Sequence, residues 1–110
     1  MSFMIDETPV WNASYGDARL FISQARGFER LAGESGVGDI EDDESQIDKD
    51  KFTKFLSELV AIHGANPAPV QTLIHGFVSV AVVLAQRGNL EVTTQQWSDD
   101  INDLARSMPT

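Results

Sequence analysis

Two histidines, a block of carboxylates and a glycine-rich segment are the parts of this 110-residue chain with types and spacing suited to chemistry. Histidine changes charge near neutral pH and is a common metal ligand. His63 and His75 lie on segments that read as separate helices. Gln71 sits one helical turn before His75 and Ser79 one turn after it, and the alternative to a solvent-facing stripe is a polar pocket of His63, Gln71, His75 and Ser79. Such a pocket would suit a small ligand or a proton transfer. A zinc site needs several close nitrogen or sulfur donors, which two histidines at this spacing do not supply, so no metal and no cofactor is expected. Nucleophilic catalysis needs an activated Ser or Cys. The chain has no cysteine and no Gly-x-Ser-x-Gly elbow, and no catalytic residue is assigned.

The carboxylates are Asp39, Glu41, Asp42, Asp43 and Glu44, within a stretch from Glu34 to Asp50 that holds eight acids and one lysine. Like charges this dense repel one another, so residues 33–47 are expected to form an extended, hydrated acidic loop. Val37, Ile40 and Ile47 would pin it to the body. The block offers a surface to a basic protein partner. Asp39 to Asp50 also places acids at positions one, three and five of an EF-hand register. Glu44 stands where that loop needs glycine and Asp50 where it needs the bidentate glutamate, so a calcium site is not expected. Gly33, Gly36 and Gly38 precede acids rather than a helix start with lysine, which is not a phosphate cradle.

The formal net charge of −9 opposes binding to nucleic acid or to anionic membranes, because phosphate contacts need clustered Lys and Arg. The absence of cysteine excludes disulfides. No basic region followed by an apolar core marks the N-terminus, so export is not expected and a cytoplasmic location is. Asn12-Ala13-Ser14 matches a glycosylation acceptor but carries no meaning without export.

These residues need a scaffold, and 110 residues suit one domain, 1–110. Its centre is predicted to be a helix over 67–87, capped by Asn66 and ended by Gly88 in a left-handed conformation. Leu73, Ile74, Phe77, Val78, Val80, Ala81, Leu84 and Ala85 give it a wide apolar arc. Gln71, Thr72, His75, Ser79, Val82 and Gln86 form a narrow stripe read as a solvent edge. The run is read as too short and interrupted to cross a bilayer.

Around it, residues 1–12 are expected to form a hairpin that turns at Asp6 to Thr8, with Pro9 on an edge strand. Ser14 caps a helix over 14–32, with Leu20, Phe21, Gln24, Ala25, Phe28, Leu31 and Ala32 on one apolar face. Arg26 and Arg30, one turn apart, read as a solvated flank, or else as an anion clamp or a pairing surface for the acidic loop. Asp48 caps a helix over 48–63 that Gly64 stops, with Lys54 and Glu58 at i,i+4 spacing. Thr93 and Gln96 suggest a capping box for a last helix over 94–107, with Trp97 as a core anchor. The expected fold is mainly α: a four-helix, orthogonal or bundle-like domain around a buried helix, with a small N-terminal β-hairpin.

Val10-Trp11-Asn12, Ile47-Asp48 followed by Phe52 and Phe55, and Val83-Leu84-Ala85-Gln86-Arg87-Gly88 resemble a family of short acidic bacterial proteins of unknown function. The resemblance implies no activity. The expectation for function is a non-enzymatic interaction module, of inhibitor, immunity or antitoxin type, using its acidic surface. The alternatives are a ligand-binding or catalytic domain around His75, and a self-associating protein whose spare apolar surface on the central and last helices makes a homodimer.

Overall fold

The structure, a computed structural model, describes residues 1–92 and 98–110, the side chains of 98–100 excepted. Among the described residues the chain forms three strands and four helices: β1 (Ser2–Ile5), β2 (Thr8–Asn12), α1 (Tyr15–Ala32), β3 (Glu44–Ile47), α2 (Lys49–Ala65), α3 (Ala68–Arg87) and α4 (Ser98–Arg106). The expected capping box at Thr93 and Gln96, the Trp97 anchor and the start of the helix predicted over 94–107 lie outside the described residues.

The fold is mainly α with an N-terminal hairpin, as expected, but its sheet is mixed. Strand order is β2-β1-β3, with β1 antiparallel to β2 and parallel to β3. The third strand corrects the expected loop over 33–47. Glu44-Ser45-Gln46-Ile47 alternates exposed and buried, so Glu44 and Gln46 face water while Ser45 and Ile47 face the core. Charge repulsion is relieved by pointing the acids outward, and the backbone gains a sheet ladder.

In the hairpin the pairing slips between Phe3 and Met4, leaving Val10 as an extra residue between the partners Trp11 and Pro9. This bulge breaks the period-two alternation, and Val10 and Trp11 are both buried. Pro9, which has no N–H to give, sits on the edge strand β2.

The helix caps follow local chemistry. The Ser14 hydroxyl accepts from the Asp17 N–H at 3.1 Å, and the Asp48 carboxylate from the Lys51 N–H at 3.0 Å. The boundary between α2 and α3 departs from expectation. Gly64 does not stop α2, which runs on to Ala65, and Asn66 closes it by donating from its side chain to the Ile62 carbonyl at 2.7 Å. Pro67 takes the N-cap position of α3 without a side-chain bond. At the other end Gly88 has φ −88, and the left-handed residue is Asn89 at φ 57. The Leu90 N–H reaches the Ala85 carbonyl and the Asn89 N–H the Gln86 carbonyl, a Schellman closure with asparagine in the glycine role.

Helix α3 is the centre of the core. Ile74, Phe77, Val78 and every residue from Ala81 to Ala85 are buried, so the β-branched run stays helical under tertiary packing. Phe77 gathers the elements: its ring lies 5.0 Å from Phe21, 5.2 Å from Phe28 and 6.1 Å from Phe55. Phe3 stacks on Trp11 at 5.3 Å and meets Phe21 edge-on at 5.3 Å, which ties the sheet to the same cluster.

Three expectations about α1 and α3 are corrected. The stripe from Gln71 to Gln86 is no continuous solvent edge, since Ser79 and Val82 are buried. Leu73, assigned to the buried arc, is 75% exposed, and Leu20 and Leu31 are 60% and 58% exposed. These leucines sit at the borders of apolar arcs that their neighbours do not fully cover. The length argument against a membrane span also fails: α3 has 20 residues and a mean hydropathy of 1.7 in its most apolar window. Half of that window is buried inside the domain.

Candidate functional site

Residues 37–47 form an acidic hairpin. Val37 pairs antiparallel with Ile47, and Glu41 and Glu44 exchange both backbone hydrogen bonds, at 2.8 and 3.0 Å. Between them Asp42 and Asp43 have φ of 52 and 65, a type I′ turn, which demands two left-handed residues and tolerates aspartate. Close approach explains two glycines of the preceding segment. Gly36 has φ 75, and a β-carbon there would lie 2.8 Å from the Asp48 carbonyl oxygen. At Gly38 it would lie 2.7 Å from the Gln46 carbonyl oxygen.

The base of the hairpin is fixed by a polar cluster on α1. Ser35 is fully buried, and its N–H and hydroxyl both donate to the Glu29 carboxylate, at 3.0 and 2.7 Å. Burial pushes the Glu29 pKa up, but the two Ser35 hydrogen bonds and the Arg26 charge outweigh it and hold the carboxyl below its ordinary value. The Arg26 guanidinium donates to Asp39 at 2.9 Å and lies 3.5 Å from Glu29. Arg26 therefore takes the alternative role named for it, pairing with the acidic segment.

The five acids divide into two groups. Asp39 is tied to Arg26, and Asp43 lies 3.8 Å from the terminal ammonium of Met1. Glu41, Asp42 and Glu44 are exposed, and with Asp39, Gly38 and Gln46 they line an open depression of about 370 Å³. The Gln46 amide donates to Glu44 at 3.2 Å. The sequence reading missed Gln46, Ser35 and Glu29. The alternation through 44–47 was the available signal for Gln46. A small buried hydroxyl such as Ser35 leaves no such pattern.

The second candidate set is partly assembled. The His63 and His75 rings come to 6.1 Å, centre to centre, across the α2–α3 corner. With Gln71 and Thr72 they line a shallow groove of about 260 Å³. Gln71 donates from its amide to the His63 carbonyl at 3.1 Å. Ser79 is not part of the groove: it is buried and donates to the His75 carbonyl at 2.8 Å. Among the described residues no three His, Asp or Glu side chains converge on a metal position.

A mainly α domain with a small mixed sheet, carrying an acidic hairpin on that sheet, is the class these features define. The chain belongs to the DUF6086 family, a family of unknown function whose model matches residues 1–110. No curated protein and no solved structure matches it.

Proposed function

We propose that this protein is a non-enzymatic interaction module that binds a basic protein partner through the hairpin 37–47. In this reading the helices pack bundle-like about α3 and serve as the scaffold that holds the hairpin. One observation carries the proposal: Glu41, Asp42 and Glu44 stand exposed around one depression while their backbone is held by paired strands and a type I′ turn. A surface fixed in this way has little ordering entropy to lose on binding. A lysine or arginine of the partner entering the depression meets several carboxylates at once, which favours encounter and selects against acidic partners.

The test is affinity capture from the native host with the wild-type chain and with an E41K/D42K/E44K variant. A protein retained by the first and lost by the second supports the proposal. Identical sets of retained proteins would reject it.

A second reading rests on the convergence of His63 and His75 beside Gln71. The groove would take a small polar ligand without any catalytic set. Histidine ring resonances that respond to a library of small polar compounds in wild type, and not in a Gln71→Ala variant, would support it. Resonances that no compound moves would remove it.

A further inference from the structure

The corner between α2 and α3 brings together the two histidines of the chain. Asn66 and Pro67 are the whole connection between the two helices. His63 stands in the last turn of α2 and His75 in the second turn of α3. Their rings lie 6.1 Å apart, centre to centre, with the planes at 41°. Among the described residues, Gln71 and Thr72 complete the lining of the groove that the rings border. Both of those side chains are bonded to backbone: the Gln71 amide donates to the His63 carbonyl at 3.1 Å, and the Thr72 hydroxyl to the Ala68 carbonyl at 3.0 Å. The Gln71 bond ties α3 back to α2, and the Asn66 side chain closes the same corner on the Ile62 carbonyl at 2.7 Å. The backbone beneath the two histidines is thus held from both helices.

We propose that His63 and His75 form a two-histidine site for a divalent cation of the zinc, nickel and copper group, with water completing the coordination. This inference rests on the groove reading given above and deepens it by naming the ligand as a metal ion. The ring separation suits a shared ion. With about 2.0–2.1 Å from nitrogen to zinc and about 1.2 Å from ring centre to nitrogen, two imidazoles on one ion have centres up to about 6.5 Å apart. The observed 6.1 Å lies inside that limit. A tetrahedral angle at the ion needs about 5.3 Å, a closure of about 1 Å that side-chain torsions supply without moving a helix.

The lining sets which ion is taken. Imidazole suits zinc, nickel and copper, whereas calcium and magnesium need several oxygen ligands. Among the described residues no carboxylate, lysine or arginine lines the groove, so neither a hard cation nor an anion finds its usual partners there. The net charge of −9 draws cations towards the chain as a whole. Both histidines are half-buried, and the shallow groove leaves room for water on the ion, which makes the site exchangeable. Their sequence spacing carried no metal signal, because the pair exists only once the corner has folded.

The test is calorimetric titration of the full chain with Zn2+ alone at about pH 7.5, alongside the histidine ring resonances. Wild type should take up one ion with a Kd on the order of 10 μM, and both ring resonances should move together. His63→Gln and His75→Gln should each weaken this binding at least about 10-fold. Zn2+ should raise the melting midpoint of wild type and of neither variant. Ca2+ and Mg2+ at about 1 mM should leave the rings unmoved. Gln71→Ala removes no metal ligand and should retain the zinc site, although it abolishes the response to small polar compounds expected of the groove. Zinc uptake that neither histidine substitution weakens belongs to surface carboxylates and would overturn the proposal. Ring resonances that excess Zn2+ leaves in place would overturn it too, and this readout needs the wild-type chain alone. If polar compounds still move those resonances, the groove reading stands and the metal site falls.

Discussion

Gly88 lies directly against Ile5: a β-carbon at Gly88 would fall 2.6 Å from the Ile5 Cδ1 atom. The end of the central helix and the first strand approach so closely because position 88 carries no side chain. Its φ of −88 is open to any residue, so the constraint is packing rather than backbone conformation.

Gly88→Ala should therefore destabilise the domain by about 1–3 kcal/mol, the usual cost of overfilling a core. Shortening the opposing side chain should relieve the clash. An Ile5→Val/Gly88→Ala double variant should be more stable than the sum of the single effects, and chemical denaturation of the four proteins measures that coupling. Gly76→Ala, in open space within the same helix, should stabilise by about 0.5–1 kcal/mol. Opposite signs for two glycine-to-alanine changes separate packing from helix propensity.

Arg87 is a second tie between distant segments. It donates to the Val10 carbonyl and to the Ala105 carbonyl, both at 2.9 Å. Val10 is the extra residue of the β-bulge, so one guanidinium holds the hairpin and the C-terminal helix to α3. Arg87→Ala should cost about 1.5–3 kcal/mol, because it leaves part-buried carbonyls without a charged donor. Amide exchange should quicken in α4 before it quickens in α3.

The Glu29 carboxyl has its pKa held below the ordinary value in the folded chain by Ser35 and Arg26, against the upward push of burial. A depressed acid pKa contributes stability above the unfolded value, near 4.5, and that contribution fades as pH falls through the folded value. The stability gap between wild type and Glu29→Gln should be full at pH 7 and shrink below about pH 4.5. Ser35→Ala should destabilise the hairpin base by about 1–3 kcal/mol at neutral pH. Urea titrations across pH 3 to 7 check both.

The legible part of the fold was the part written in local chemistry. Ser14 and Asp48 cap their helices as their side-chain oxygens demand, and Ile74 to Ala85 form a core helix despite their valines. Asn66 misled because the asparagine that caps a helix start also serves a helix end. Strand β3 was hidden by its polarity and by the acids before it: Glu44 and Gln46 suggested a loop, although Ser45 and Ile47 supplied the alternating buried face. Of the candidate site, the five acids were visible as a cluster, while their division was not. That Asp39 meets Arg26 across 13 residues depends on the tertiary path of the chain. His63 and His75 were visible as residues; their approach to 6.1 Å depends on the corner between α2 and α3.

The most direct test of the hairpin as a docking surface is the dissociation constant of a captured partner, measured against ionic strength for wild type and for E41K/D42K/E44K. Wild type should bind tightly at low salt and lose affinity steadily as salt rises, while the variant binds at least about 10-fold more weakly at low salt and shows a much flatter slope. Equal affinities and equal slopes for the two proteins would contradict the assignment of the acidic hairpin as the binding surface.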